Sequence, residues 1–87
     1  KMMIIINAYQ LSVHLKDVRL TKKLSQSKVA QKVGIRQDTV SNFELNPNST
    51  KLETFFKLLS ALNLEMEIHP KDAKNNLAHK SEWKEEW

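Results

Sequence analysis

The chain has 87 residues, 40% of them hydrophobic and 28% charged, with one Gly, two Pro and a formal charge of +4. That describes one helical globular domain, at a size where pairing two copies is a natural way to bury more apolar surface. The absence of Cys excludes disulfides, thiolate zinc sites and cysteine nucleophiles and points to a reducing, cytoplasmic setting, and the apolar run at residues 2–6 is far shorter than a membrane span.

Residues 1–6 read as a short apolar arm, expected either to pair with a strand or to pack on the first helix. From Asn7 to about Lys23, Leu11, Leu15 and Val18 recur at helical spacing, with Ala8 beginning the same stripe. Ser25 offers an N-cap oxygen for a second helix, Gln26 to Val33, which faces inward through Val29, Ala30 and Val33 and stops at Gly34. A third helix runs from about Gln37 to Leu45 and buries Val40 and Phe43. After a loop at residues 46–49, Thr50 and Glu53 have the spacing of a capping box. They are expected to open a fourth helix with Leu52, Phe55, Phe56, Leu59 and Leu62 on one apolar stripe.

Beyond it, Leu64, Met66 and Ile68 alternate with Glu65, Glu67 and His69 until Pro70, the period-two pattern of a strand with one buried face. A single strand makes no sheet, so it must pair with the N-terminal arm or with its copy in a second subunit. Residues 71–87 form a polar tail, expected to be flexible, that carries Trp83 and Trp87. The chain thus divides into an arm at 1–6, a helical domain at 7–63, a dimerisation strand at 64–70 and a tail at 71–87.

Charge is unevenly placed. Residues 1–63 hold ten basic side chains against four acidic ones, and residues 64–87 hold four against six. Seven basic residues lie between Lys16 and Arg36, opposed only by Asp17. A basic segment of this kind suits a phosphate backbone, because each neutralised phosphate releases condensed counterions.

The stretch from Gln26 to Phe43 also meets the demands of two helices crossing steeply over a short turn. With Gln26 as the first position, the fifth must be small where the helices touch, and it is Ala30. The ninth must accept a positive φ, and it is Gly34, the sole glycine. The fourth, eighth, tenth, fifteenth and eighteenth must be buried, and they are Val29, Val33, Ile35, Val40 and Phe43.

The residues from Leu24 to Glu44, continuing through Thr50 to Leu62, resemble the Cro/C1-type helix-turn-helix family over roughly half the chain. The resemblance implies a mainly α, compact four- to five-helix lambda-repressor-like fold with a short C-terminal dimerisation strand. It also implies an ion pair between Arg19 of the first helix and Glu44 at the close of the third. Val40 to Glu44, Thr54 to Lys57, the strand from Leu64 through Met66 to Ile68 and a charged tail ending in Trp87 look like HipB-type antitoxins. That likeness implies a homodimer that represses its own operon and neutralises a HipA-type serine/threonine kinase toxin.

In such a fold the first turn and one further face of the recognition helix reach the major groove. The candidates are Arg36, Gln37, Asp38, Thr39, Ser41 and Asn42. Gln37 suits adenine through a bidentate amide, and Arg36 suits guanine or a phosphate. Gln26, at a helix N-terminus, is placed to clamp a phosphate; Lys28, Lys51 and Lys22 are further backbone contacts. Asp38 has two open readings: it accepts from cytosine N4, or it simply favours the helix N-terminus. Two recognition helices in a dimer imply a pseudo-palindromic double-stranded operator.

His14, His69 and His79 lack metal-ligand spacing, and no nucleophile motif or Gly-rich phosphate cradle is present. No catalytic residue, metal, cofactor, membrane or small-molecule substrate is therefore expected. Trp83 and Trp87 are candidate anchors for the toxin, since tryptophan buries a large area at small entropic cost. Two other readings stand beside the antitoxin: a repressor without a toxin partner, and a protein-interaction module without DNA binding.

Overall fold

The computed structural model describes residues 4–71. Four helices follow one another, α1 (Ala8–Thr21), α2 (Gln26–Val33), α3 (Gln37–Leu45) and α4 (Leu52–Ala61), with a 3-10 turn at Pro47–Ser49 between the last two. Local chemistry explains most of these boundaries. Asn7 caps α1 by accepting from the Gln10 backbone N–H at 2.8 Å, while the Gln10 side chain accepts from the Ile6 N–H at 2.9 Å. The first bond satisfies an amide of the opening turn that the helix itself leaves unpaired, and the second ties the residue before the cap to that turn. Ser25 caps α2 in the same way, accepting from the Lys28 N–H at 3.0 Å.

Three helices end by one device. Lys23, Gly34 and Asn63 adopt φ values of 60°, 70° and 60° after α1, α2 and α4. The next residue then donates back over five positions, Leu24 to Arg19, Ile35 to Ala30 and Leu64 to Leu59. Such left-handed closures bring an apolar residue back onto the helix just ended. Leu24, Ile35 and Leu64 are indeed half-buried and pack on the core. Each closure therefore reverses the chain and adds one side chain to the core.

The core itself is Leu15 of α1, Val29 and Ala30 of α2, Val40 and Phe43 of α3, Phe55, Leu58, Leu59 and Ala61 of α4, and Leu62 just after it, with Leu11 and Val18 packed at its edge. α2 lies against both α3 and α4.

Two expectations for α4 need correction. Thr50 and Glu53 form no capping box, because α4 begins at Leu52 with Lys51 in the cap position and no side-chain cap bond. The Thr50 N–H is instead spent closing the 3-10 turn on the Pro47 carbonyl, which leaves Glu53 one position short of the reciprocal site. The apolar stripe is also rotated. Leu52 and Phe56 are 72% and 50% exposed, whereas Leu58 and Ala61 are buried. One residue is about 100° of helix rotation, so centring the buried face on Phe55, Leu58, Leu59 and Leu62 turns Phe56 outward. Its ring stays against Phe55, tilted, with centroids 5.2 Å apart.

Residues 64–70 carry no paired strand within the single chain, and the described part of the arm does not pair with them. Leu64 is half-buried, but Met66 and Ile68 are exposed, as are Ile4 and Ile6 of the arm. No helix among the described residues is long and apolar enough to cross a membrane.

Candidate nucleic-acid interface

Two crossed helices joined by a tight turn can present one side chain row outward only if their contact is close. Ala30, 2% exposed, supplies the small residue at that contact, and Gly34 at φ 70° supplies the turn. Val29, Val40 and Phe43 are buried beneath them, so the opposite face of α3 is left to solvent. On that face Gln37, Asp38 and Asn42 are exposed, and Thr39 and Ser41 are half-buried. Arg36 precedes α3 in extended backbone, exposed. Lys28 in α2 and Lys51 before α4 are exposed as well.

Asp38 lies 3.5 Å from the Arg36 guanidinium, with both side chains largely exposed. The carboxylate sits in the first turn of α3, where the helix dipole favours it. The neighbouring cation also offsets its charge.

Behind this face lies a polar cluster that runs from a buried ion pair out to the exposed Gln37. Arg19 Nε donates to Glu44 Oε2 at 2.7 Å, and its Nη2 donates to Glu44 Oε1 at 3.0 Å. Its Nη1 donates to the Leu24 carbonyl at 2.9 Å. The two side chains are 10% and 7% exposed, so this is a fork-on-carboxylate pair shielded from water. Glu44 Oε1 also accepts from Gln26 Nε2 at 2.8 Å, and Gln26 Oε1 accepts from Gln37 Nε2. No buried side-chain polar atom among the described residues lacks a partner.

The Arg19–Glu44 pair that the resemblance implied is present, whereas Glu44, Gln26 and Gln37 were placed separately by the sequence. It did not reveal that the last three are joined, because residues 11 and 18 positions apart meet only once α2 and α3 have crossed. Gln26, expected to clamp a phosphate, has both ends of its amide engaged, Nε2 on Glu44 and Oε1 on Gln37. Trp83 and Trp87 lie outside the described residues.

The helix-turn-helix family model HTH_3 matches residues 15–68. Antitoxin HipB of Escherichia coli K12 is 50% identical over 66 residues, spanning 76% of this chain and 73% of that protein. The chain belongs to the HipB family of Cro/C1-type helix-turn-helix proteins. A second member, HipB of E. coli O6:H1, is likewise 50% identical over 66 residues, 68% of its length. Among solved structures, HipB in a HipA–HipB–O2–O3 complex matches with a TM-score of 0.79 at 43% identity, over 80% of this chain and 99% of that one. HipB in a complex with an O4 20mer matches to the same extent. The four helices described above are therefore the HipB helix-turn-helix fold.

Proposed function

We propose that this protein is a dimeric DNA-binding repressor and the antitoxin of a toxin–antitoxin pair, repressing its own operon and neutralising a HipA-type serine/threonine kinase. The observation that carries this reading is the outward polar face of α3 on a tightly crossed helix pair, in a chain half identical to HipB over most of its length. HipB has been solved with HipA and with O2–O3 and O4 segments, which we read as operator DNA. Gln37 and Arg36 meet base edges in the major groove, while Lys28, Lys51 and the remaining N–H of Gln26 hold phosphates. Thr39, Ser41 and Asn42 supply further short polar contacts, and Asp38 serves to seat the helix start.

A second copy is needed both for a palindromic site and for the apolar side chains left outside. Leu52 and Phe56 stand one turn apart on α4, and Met66 and Ile68 follow it, all of them exposed. The alternation at residues 64–70 supports a strand that pairs with its counterpart in the partner subunit, where exposed Met66 and Ile68 gain cover. Trp83 and Trp87 anchor the tail on the kinase, in the cytoplasm where the operon is transcribed.

The deciding experiment for the base-reading part is Gln37→Ala, assayed by mobility shift on the preferred duplex and on random duplex. A loss of about 1–3 kcal/mol on the preferred site, with relaxed preference at one base pair, is expected. Equal losses on both duplexes would remove Gln37 from base reading. For the kinase, deletion of residues 71–87 is expected to weaken co-purification with the toxin, and undiminished binding would discount the tail.

A further inference from the structure

Asp38 is the one acidic side chain on the outward face of α3, beside Gln37, Thr39, Ser41 and Asn42. A carboxylate set among DNA phosphates is repelled unless a base donor meets it. Seating the helix start uses its charge and leaves its oxygens open. Among the described residues its one polar partner is Arg36, whose Nη2 lies 3.5 Å from Asp38 Oδ2. Both side chains are largely exposed. They project from the residue before α3 and from its first turn, the end of a recognition helix that enters the groove.

We propose that Arg36 and Asp38 read a single G·C pair as one unit, with Asp38 as the specificity residue that fixes which strand carries the guanine. Along the major-groove edge of that pair lie guanine N7 and O6, which accept, and then cytosine N4, which donates. O6 and N4 hydrogen-bond each other within the pair, so they stand about 3 Å apart. Arg36 Nη2 and Asp38 Oδ2, at 3.5 Å, carry the complementary order of donor and then acceptor. Nη2 has two N–H groups. One faces Asp38, and the other, with the parallel N–H of Nη1, forms a fork onto O6 and N7. Asp38 accepts from cytosine N4 at the end of the row. In C·G or A·T the order is reversed: a base donor meets the guanidinium and a base acceptor meets the carboxylate. T·A keeps the order, with O4 and then N6, but fails at both flanks. There a methyl replaces guanine N7, and adenine N7 faces the carboxylate. A lone arginine is long enough to reach guanine on either strand; the fixed acid beside it forbids one of the two.

This inference rests on the base-reading role of Arg36, and the experiment separates the two. The full chain selects its preferred site from randomised duplex, and Arg36→Ala locates the base pair that Arg36 reads. Affinities are then measured at one salt concentration on four duplexes, with G·C, C·G, A·T or T·A at that position of one half-site. Here G·C denotes guanine on the strand where the selected site places it. The wild type is expected to prefer G·C to C·G by about 5- to 150-fold, the range of one good bidentate contact. Asp38→Ala is expected to bring that ratio near one. It should also bind the C·G duplex more tightly than the wild type does, because a repelled acid is gone.

Asp38→Asn keeps the shape of the side chain, so it serves even where Asp38→Ala weakens the helix start. Its amide offers one acceptor and one donor, the complement of adenine N6 and N7, and T·A is expected to gain on G·C. If Arg36→Ala relaxes no position, base reading by Arg36 fails and the unit fails with it. If it relaxes one, the unit is overturned while base reading stands by any of three results. The wild type prefers a pair without guanine there, or it binds G·C and C·G alike, or the two Asp38 variants keep the wild-type ratios. A gain shared equally by all four duplexes is plain repulsion and counts with the last.

Discussion

The pair between Arg19 and Glu44 tests whether the buried ion pair holds α1 and α3 together. Arg19→Met keeps most of the side chain volume and removes the cation. The Glu44 carboxylate, 7% exposed, would then retain only the Gln26 N–H, and the Leu24 carbonyl would lose its donor. Removing one partner of a buried ion pair costs about 3–5 kcal/mol, because the remaining charge is left without compensation. Against a total stability of roughly 5–15 kcal/mol for a domain, that is a large share. At about 4–8 °C per kcal/mol for a chain of this size, the melting temperature should fall by at least about 12 °C. The assay is thermal unfolding followed by circular dichroism at one fixed protomer concentration, since a dimer melts in a concentration-dependent way.

Two companions make the result interpretable. Arg19→Met with Glu44→Leu leaves no buried charge and should recover most of the loss. Arg36→Ala removes the exposed pair with Asp38 and should change stability by less than about 0.5 kcal/mol. A cost for Arg19→Met as small as that of Arg36→Ala would refute the reasoning.

At Gly34 an added Cβ meets nothing within 4 Å, so Gly34→Ala should cost about 1–2 kcal/mol through backbone conformation alone, and Gly34→Asn less, since Asn tolerates the left-handed region; urea denaturation showing no difference from wild type would contradict this. Asn7→Ala removes a working cap and should cost about 1 kcal/mol, whereas Thr50→Ala should lie within about 0.5 kcal/mol, because Thr50 caps nothing. The reverse order would restore the capping box at α4. Affinity for the preferred duplex should fall steeply with salt, and Lys28→Ala or Lys51→Ala, each removing one contact from both protomers, should flatten the log–log slope by about 2. An unchanged slope would place that lysine away from the phosphates.

The helix-turn-helix unit was legible in the sequence because its constraints are local. Ser25 and Gly34 mark the two ends of α2 through the chemistry of a cap and a left-handed closure, and the spacing of Val29, Ala30, Val40 and Phe43 follows helical geometry. The ends of α1 and α4 were less legible. Lys23 and Asn63 perform the same closure as Gly34 with side chains that do not announce it, and the signal lay in the apolar residue after each, Leu24 and Leu64. Thr50 and Glu53 show the opposite failure, a matching pattern with no corresponding structure, because the neighbouring turn had already claimed the Thr50 amide.

The residues alone determined that two helices would cross at Ala30 and Gly34, since few other arrangements satisfy a small contact, a positive φ and five buried positions together. Family resemblance added Arg19 and Glu44 as partners. Tertiary structure alone decided which side of α4 is buried, because Leu52 and Phe56 are as apolar as Leu58 and Leu59 and only the positions of the other helices distinguish them. It alone joined Glu44, Gln26 and Gln37. Hydrogen bonds require atoms within about 3 Å, and a linear sequence carries no record of which distant amides will meet at that range.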